Sequence, residues 1–246
     1  MRVFVILPAA GLGTRMAAAS GSGAPPKQFM SLAGVPILIH TLRAFAAVAA
    51  SMYVAVRASE RARLSGLLEE YRGTDAAMLA SVHLVEGGDT RQESVAAALA
   101  ALVAGEPGLA EDDVVLVHDA VRPLITPLLI ERTIAAVVRQ GAAIVAMPAT
   151  DTIKQVERTA RGARVTATIP RENIVQAQTP QGFRAGLLRR AFAEAAADGF
   201  SGTDEASVVE RAGVEVAVVA GSLANMKITQ PGDLELAEFF LARAGR

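Results

Sequence analysis

The chain has 246 residues, enough for one large α/β domain with a sizeable core, and its 24 Lys+Arg against 25 Asp+Glu leave a formal charge of −1. That balance excludes a chain-wide basic field for nucleic acid or an anionic membrane, so any anion site has to be local. The absence of cysteine excludes disulfides, thiolate metal sites and cysteine nucleophiles, and makes the cytoplasm the expected compartment.

The first predicted element is a strand, VFVIL (3–7), too short for the apolar core of a signal peptide, and no apolar run of membrane-spanning length follows. The strand runs into PAAGLGTRM, with Gly11 and Gly13. Met16 stands where a dinucleotide fingerprint needs its third glycine, and Gly23 to Lys27 has the wrong spacing for a Walker loop. A strand that turns through small residues still exposes backbone N–H groups to phosphate oxygens. A tight turn with no ligand would look the same. Arg15, and Lys27 in PPKQF beyond the small-residue run AAASGSGAPP (17–26), add two cations within reach of this loop, which points to a polyphosphate.

Helical spacing over 36–48 is followed by strands at 52–57 and 81–86. EGGDTRQES (86–94) then opens a helix (91–103) and offers the backbone of Gly87 and Gly88, the Asp89 carboxylate and the Ser94 hydroxyl, groups suited to a base edge. An ordinary capped helix start, with Asp89 or Thr90 as the cap, is the alternative. The strand VVLVHDA (114–120) leads into VHDAVRP and puts His118, Asp119 and Arg122 at a carboxyl end, where open α/β sheets bind ligands. Asp119 is suited to a metal or a substrate hydroxyl, and His118 reads as a hydrogen-bonded structural group. A helix (127–140) and a strand (142–149) complete an alternation typical of βαβ units around a mostly parallel sheet.

The pattern breaks over 150–183, where β-branched and polar residues alternate on both sides of Arg161-Gly162. This predicts a β-hairpin or arm that projects from the domain and packs on something else, a second subunit being the leading candidate and a solvated excursion the alternative. A helix (184–197), a helix opened by TDEAS, a strand (214–221) and a C-terminal helix from Pro231 follow. GFSGTDEAS and NMKIT supply Thr203, Asp204 and Lys227, although TDEA is also a good helix start. The chain has no internal repeat.

Taken in order, PAAGLGTRM, PPKQF, GGDTRQESV, VHDAVRP, ATDTIK, AQTPQGF, GTDEAS and NMKITQPGDL closely resemble the 2-C-methyl-D-erythritol 4-phosphate cytidylyltransferase family across essentially the whole chain. The resemblance implies a Rossmann-like nucleotide-diphospho-sugar transferase fold, a mostly parallel twisted sheet flanked by helices. It implies one domain over 1–246 with a dimerisation β-arm at about 150–180. The implied reaction joins CTP and methylerythritol phosphate and releases pyrophosphate, with magnesium on the triphosphate and a homodimer with interlocked arms. Residue by residue, it places Ala9, Ala10, Gly11, Gly13, Thr14 and Arg15 on the triphosphate, and Gly88, Asp89, Ser94 and Ala120 around cytidine. Arg15 and Lys27 would stabilise the transition state. Asp119, Arg122, Thr203 and Lys227 would hold the sugar phosphate in one subunit, with Thr152, Arg171 and Thr179 reaching in from the partner's arm. Arg171 and Lys227 would keep the attacking phosphate in line, and Asp119 would be the protein neighbour of the metal.

One segment and two positions depart from the family's pattern: the 17–26 run is longer than usual, Thr14 replaces a common arginine, and Val121 replaces a frequent alanine. The competing readings are a ribitol 5-phosphate cytidylyltransferase, a sugar-1-phosphate nucleotidyltransferase and a non-catalytic nucleotide-binding protein. The presence of Arg15 and Lys27 weighs against the last of these.

Overall fold

The computed structural model describes residues 1–11, 25–160 and 162–243. Within them, seven strands form a sheet whose spatial order is β11 (Ala217–Ala220), β7 (Ala142–Pro148), β10 (Val175–Arg184), β6 (Val114–Val117), β1 (Val3–Pro8), β4 (Ser51–Val56) and β5 (Val82–Glu86). Every pairing is parallel except those of β10, which runs antiparallel between β6 and β7. A short ribbon of β2 (Ser31–Leu32) and β3 (Val35–Pro36) stands apart from this sheet.

The apolar run of β1 is buried on both faces because its alternate side chains enter two separate cores. Val3, Val5 and Leu7 meet Leu38, Leu42 and Phe45 of α1 (Ile37–Phe45) and Ile130 and Val137 of α5 (Pro127–Gln140). Phe4 and Ile6 face the other way, toward Val95 and Leu102 of α4 (Arg91–Gly105) and Leu188 and Phe192 of α6 (Ala185–Ala197). Period-two alternation in the strand and helical stripes in the flanking elements therefore produce the three layers. The helices α2 (Ala58–Glu70) and α3 (Arg72–Leu79), which the sequence reading does not mark, contribute little more than Leu64 and Met78 to the core. Two further helices, α7 (Glu205–Arg211) and α8 (Pro231–Arg243), follow later in the chain.

The region expected to form one arm over 150–183 divides in two. Its first part is a separate hairpin of β8 (Ile153–Thr159) and β9 (Gly162–Ile169), paired from Ile153↔Ile169 outward and largely exposed. Its second part, β10, is a central strand of the main sheet. Pro180 disguises it in the sequence, because proline lacks the N–H that a central strand needs. The chain accommodates it at an irregularity, since pairing with β7 shifts register between Ala177 and Gln181. Gly182 is required beyond that point, because a Cβ there would stand 2.7 Å from Val137 Cγ2 and 2.9 Å from Leu116 Cδ2. Gly182→Ala is thus expected to lower stability by about 1–3 kcal/mol, as overpacking does, read as a shift in the denaturant midpoint.

The connections from β1 lead outward to β4 and β5, whereas β6 lies on the other side of β1. The switch point is the gap beyond the carboxyl ends of β1 and β6, where a doubly wound sheet leaves a crevice.

Candidate active site

That crevice is a cleft of about 230 Å³ lined by Ala9, Ala10, Gly11, Lys27, Gly88, Asp89, Arg91, Ser94, Asp119, Ala120 and Lys227, among others. Gly13, Thr14 and Arg15 lie outside the described residues.

The turn after β1 is fastened from three sides. Ala9 N–H donates to the Ala55 carbonyl (2.7 Å), Arg57 Nε donates to the Ala10 carbonyl (2.7 Å), and Gln28 Nε2 donates to the Ala9 carbonyl (2.8 Å). The carbonyl oxygens of Ala9 and Ala10 are thereby engaged by protein donors and do not need to face an incoming anion. Gln28 is buried and sits in a short 3-10 turn, Lys27–Phe29, so the same contact that ties down the loop brings the neighbouring Lys27 to the cleft wall.

On the opposite wall, α4 begins with a capping box: the Thr90 hydroxyl accepts the Glu93 N–H, and Glu93 Oε2 accepts the N–H groups of Asp89 (2.8 Å) and Thr90 (3.0 Å). Thr90 rather than Asp89 is the cap, so the Asp89 carboxylate remains in the cleft wall without a capping duty. Gly87 and Gly88 are there for close approach. A Cβ on Gly87 would lie 2.8 Å from Ala10 Cβ, and one on Gly88 would lie 2.4 Å from Glu93 Cβ. The Ser94 hydroxyl donates to the Thr90 carbonyl (2.9 Å) and so presents its oxygen as an acceptor.

The floor carries the charge. Asp119 is 6% exposed; Arg91 Nε reaches its Oδ1 (3.3 Å), while Arg122 Nε (3.2 Å) and Lys227 Nζ (3.0 Å) reach Oδ2. Burial alone would raise the Asp119 carboxyl, but Lys227, Arg91 and Arg122 outweigh it and hold the group well below the usual carboxylate range. Lys227 arrives because the Ile228 N–H donates to the Val121 carbonyl (2.9 Å), and Asn225 Nδ2 donates to the Thr179 carbonyl (2.7 Å). Behind Arg91 stands Glu205, 1% exposed, whose Oε1 accepts from Arg91 Nη1. Burial raises the Glu205 carboxyl despite this partner.

The sequence reading puts Thr179 on an arm facing a partner's site. It stands instead in β10, buried beneath Asp119 of its own chain, because the strand itself belongs to the central sheet. Its hydroxyl accepts the Asp119 N–H (3.0 Å) and donates to His118 Nδ1 (3.0 Å), which leaves His118 Nε2 to donate to the Arg122 carbonyl (3.0 Å). The expectation that His118 is structural agrees with this neutral, fully bonded ring.

Burial pushes the His118 imidazole down to about 4 from 6.5. The unfolded chain therefore takes up this proton first, and stability is lost as pH falls from the unfolded value toward the folded one. Replacing His118 with asparagine should remove that component. The stability gap between wild type and His118→Asn is expected to narrow by about 2–3 kcal/mol between neutral pH and the folded pKa, measured by denaturant unfolding.

Thr152, Arg171 and Thr203 do not line the cleft of their own chain. Thr152 and Arg171 are exposed at the base of the hairpin, where Arg171 Nη1 donates to the Thr150 carbonyl (2.6 Å). Thr203 is exposed just before Asp204, the cap of α7. Sequence reasoning missed Arg91, Glu205, Gln28 and Arg57. The first three sit inside motifs already singled out, but nothing local announces that Arg91 and Glu205 meet.

The profile of the 2-C-methyl-D-erythritol 4-phosphate cytidylyltransferase family matches residues 3–243. The chain belongs to that family. A cytidylyltransferase of this name from Acidobacterium capsulatum is 66% identical over 243 residues, 98% of each chain. Among solved structures, the cytidylyltransferase from Thermus thermophilus aligns over 99% of this chain and 100% of its own, with 36% identity and a TM-score of 0.75. The one from Francisella tularensis covers 97% of this chain and 99% of its own, with 33% identity and a TM-score of 0.77. The three-layer arrangement is thus the nucleotide-diphospho-sugar transferase fold of this cytidylyltransferase family.

Proposed function

We propose that this chain joins CTP and 2-C-methyl-D-erythritol 4-phosphate to give 4-diphosphocytidyl-2-C-methyl-D-erythritol and pyrophosphate, a step of isoprenoid biosynthesis. The observation that carries the reading is the placement of Lys27, Arg91, Asp119 and Lys227 around one switch-point cleft in a chain of this family. The wall of Gly88, Asp89, Ser94 and Ala120 is assigned to cytidine, and Ala9 to Gly11, with Gly13, Thr14 and Arg15, to the triphosphate. Asp119, Arg122 and Lys227 are assigned to the acceptor, and Thr203, which stands outside the cleft lining, is assigned there on the family resemblance alone.

The chemistry suits this set. A phosphate monoester has its second pKa near ~6 and is mostly dianionic at neutral pH, so attack on the α-phosphorus needs no general base. A neutral, buried His118 is consistent with that. The obstacle is repulsion, since unit charges ~4 Å apart interact by roughly 4 kcal/mol at an effective dielectric near 20. Lys27 and Arg15 offset charge on the α-phosphate and leaving pyrophosphate, and Lys227, held by Asp119, orients the attacking phosphate.

Magnesium belongs to this reading as part of the nucleotide, carried on triphosphate oxygens and adding positive charge there. Asp119 does not suit the role of ligand expected for it, because both its oxygens already receive from Arg91, Arg122 and Lys227. The described residues contain no group of three or more His, Cys, Asp or Glu that could hold a metal. Magnesium is commonly bound through substrate phosphates and water rather than by an all-protein cage.

The homodimer through the arm is supported by the hairpin itself. A two-stranded hairpin is marginal alone, and Val156 and Val165, paired across it, are both exposed. A second copy that covered them would also receive Thr152 and Arg171 at its cleft. Mixing inactive Arg171→Ala and Lys27→Ala protomers should then restore up to about half of wild-type activity per heterodimer. Verified heterodimers without recovery would place both residues in one subunit's site. No helix among the described residues is long and apolar enough to cross a membrane, and a cytoplasmic location is part of the proposal.

The reading is tested by pyrophosphate release from CTP and magnesium with methylerythritol phosphate, ribitol 5-phosphate or a hexose 1-phosphate. Release with the first acceptor alone is expected. Release only with another would overturn the substrate, and tight CTP binding without turnover would favour a nucleotide-binding protein.

A further inference from the structure

Glu205 is a buried carboxylate whose two oxygens are placed unequally. Its Oε1 accepts from Arg91, and its Oε2 has no hydrogen-bond partner among the described residues. Its position is fixed from both sides, because Gln181 Nε2 donates to Asp204 Oδ2 (2.7 Å) while Gln181 Oε1 accepts the Ala206 N–H (2.9 Å). Arg91 is fixed as firmly. It opens α4 within the capping box, and its neighbour Gln92 ties that helix to the loop before α7, accepting from Gly202 N–H (2.7 Å) and donating to the Phe200 carbonyl (3.0 Å). Arg91 then passes this constraint to Asp119 Oδ1, leaving Oδ2 for Arg122 and Lys227.

A buried ion pair with an unsatisfied oxygen is a poor device for stability, since well-packed apolar side chains of similar volume commonly do as well. A rigid line of three charged groups leading to the floor of the cleft has a different use. We propose that Glu205 and Arg91 are a positioning pair for the acceptor side of the site: Glu205 orients the Arg91 guanidinium, and Arg91 pins Asp119 so that Lys227 is held where the attacking phosphate must lie. The proposal rests on the cytidylyltransferase reading above. Neither residue is assigned contact with the reacting atoms, and the pair acts through Asp119 and Lys227.

The test is a double-mutant cycle with Glu205→Gln, Arg91→Met and the double variant, scored by steady-state kinetics in methylerythritol phosphate and by equilibrium CTP binding. Glu205→Gln is expected to lower kcat/KM for the acceptor about tenfold while the Kd for CTP changes less than about twofold. In the Arg91→Met background the same substitution should add nothing, because Glu205 acts only through Arg91. Additive losses, equal damage to CTP binding, or unchanged acceptor kinetics would each overturn the pair. Should Glu205→Gln fail to fold, Arg91→Met combined with Glu205→Leu leaves no unpaired buried charge; a folded protein with unimpaired acceptor kinetics would equally overturn it. A wild-type protein that does not turn over CTP with this acceptor refutes the parent reading instead. In that case the pair is scored on the melting temperature, where only a coupled, non-additive response would keep it.

Discussion

Asp119→Ala is expected to lower kcat by about 10²- to 10³-fold with a smaller change in the KM for the acceptor, because the larger part of its role is to anchor Lys227. Lys227, Arg122 and Arg91 all converge on this carboxylate. Without it, three cations repel one another and the cleft becomes more positive, so a phosphate dianion is still attracted. What is lost is the fixed position of the Lys227 ammonium relative to the line of attack, and a displacement of about 1 Å can cost about 10²-fold in rate. Stability should fall as well. Breaking a buried ion pair costs about 3–5 kcal/mol, but the Lys227 and Arg91 side chains retain 36% and 27% exposure. Screening therefore reduces the expected cost to about 1–3 kcal/mol. Steady-state kinetics and denaturant unfolding on one preparation separate the two effects, and activity within tenfold of wild type would show that Lys227 does not depend on Asp119.

Lys27→Ala is the second large effect, expected at about 10²- to 10³-fold in kcat with a much smaller rise in the KM for CTP. The reason lies in where the charge is needed. The bound triphosphate already carries its negative charge, but the charge on the leaving pyrophosphate grows only as the bond to the α-phosphorus breaks. A cation brought to the cleft by a buried neighbour, Gln28, and a short 3-10 turn needs little reorganisation at that moment. Gln28→Leu should therefore imitate Lys27→Ala in milder form, because it frees both the lysine turn and the Ala9 carbonyl. A kcat for Lys27→Ala equal to wild type would remove the residue from the reaction.

The fold was legible wherever one strand's pattern was self-sufficient. The apolar runs at 3–7 and 52–57 read as buried strands because both faces of the sheet are covered. The antiparallel β10 was not, since Pro180 argues against a central strand and only the register shift beside it shows how the sheet tolerates the residue. Thr179, which the family resemblance assigns to the partner's arm, stands on this strand at the floor of its own chain's site. At the site, Lys27, Asp119 and Lys227 were recognisable in their motifs, and Asp119 also from its place at a strand end. Arg91 and Glu205 were hidden for another reason: their pairing spans two halves of the chain, and helix starts explain TRQES and TDEAS well enough locally. The charges that these two starts carry inward meet only in three dimensions.

The continuity of the hairpin with β10 has a consequence for which changes of length the chain can tolerate. Beyond Ile153 and Ile169, the hairpin pairs only with itself, so residues gained or lost toward its tip alter reach and leave the main sheet untouched. Past Val175, the same backbone is clamped between two neighbours, with Gln181 and Phe183 fixed against both β6 and β7. A single residue inserted there would reverse the facing of every side chain on one side of the insertion. Within one short stretch of chain the molecule therefore holds a segment whose length sets how far the arm reaches and a segment whose count of residues sets the facing of the central sheet.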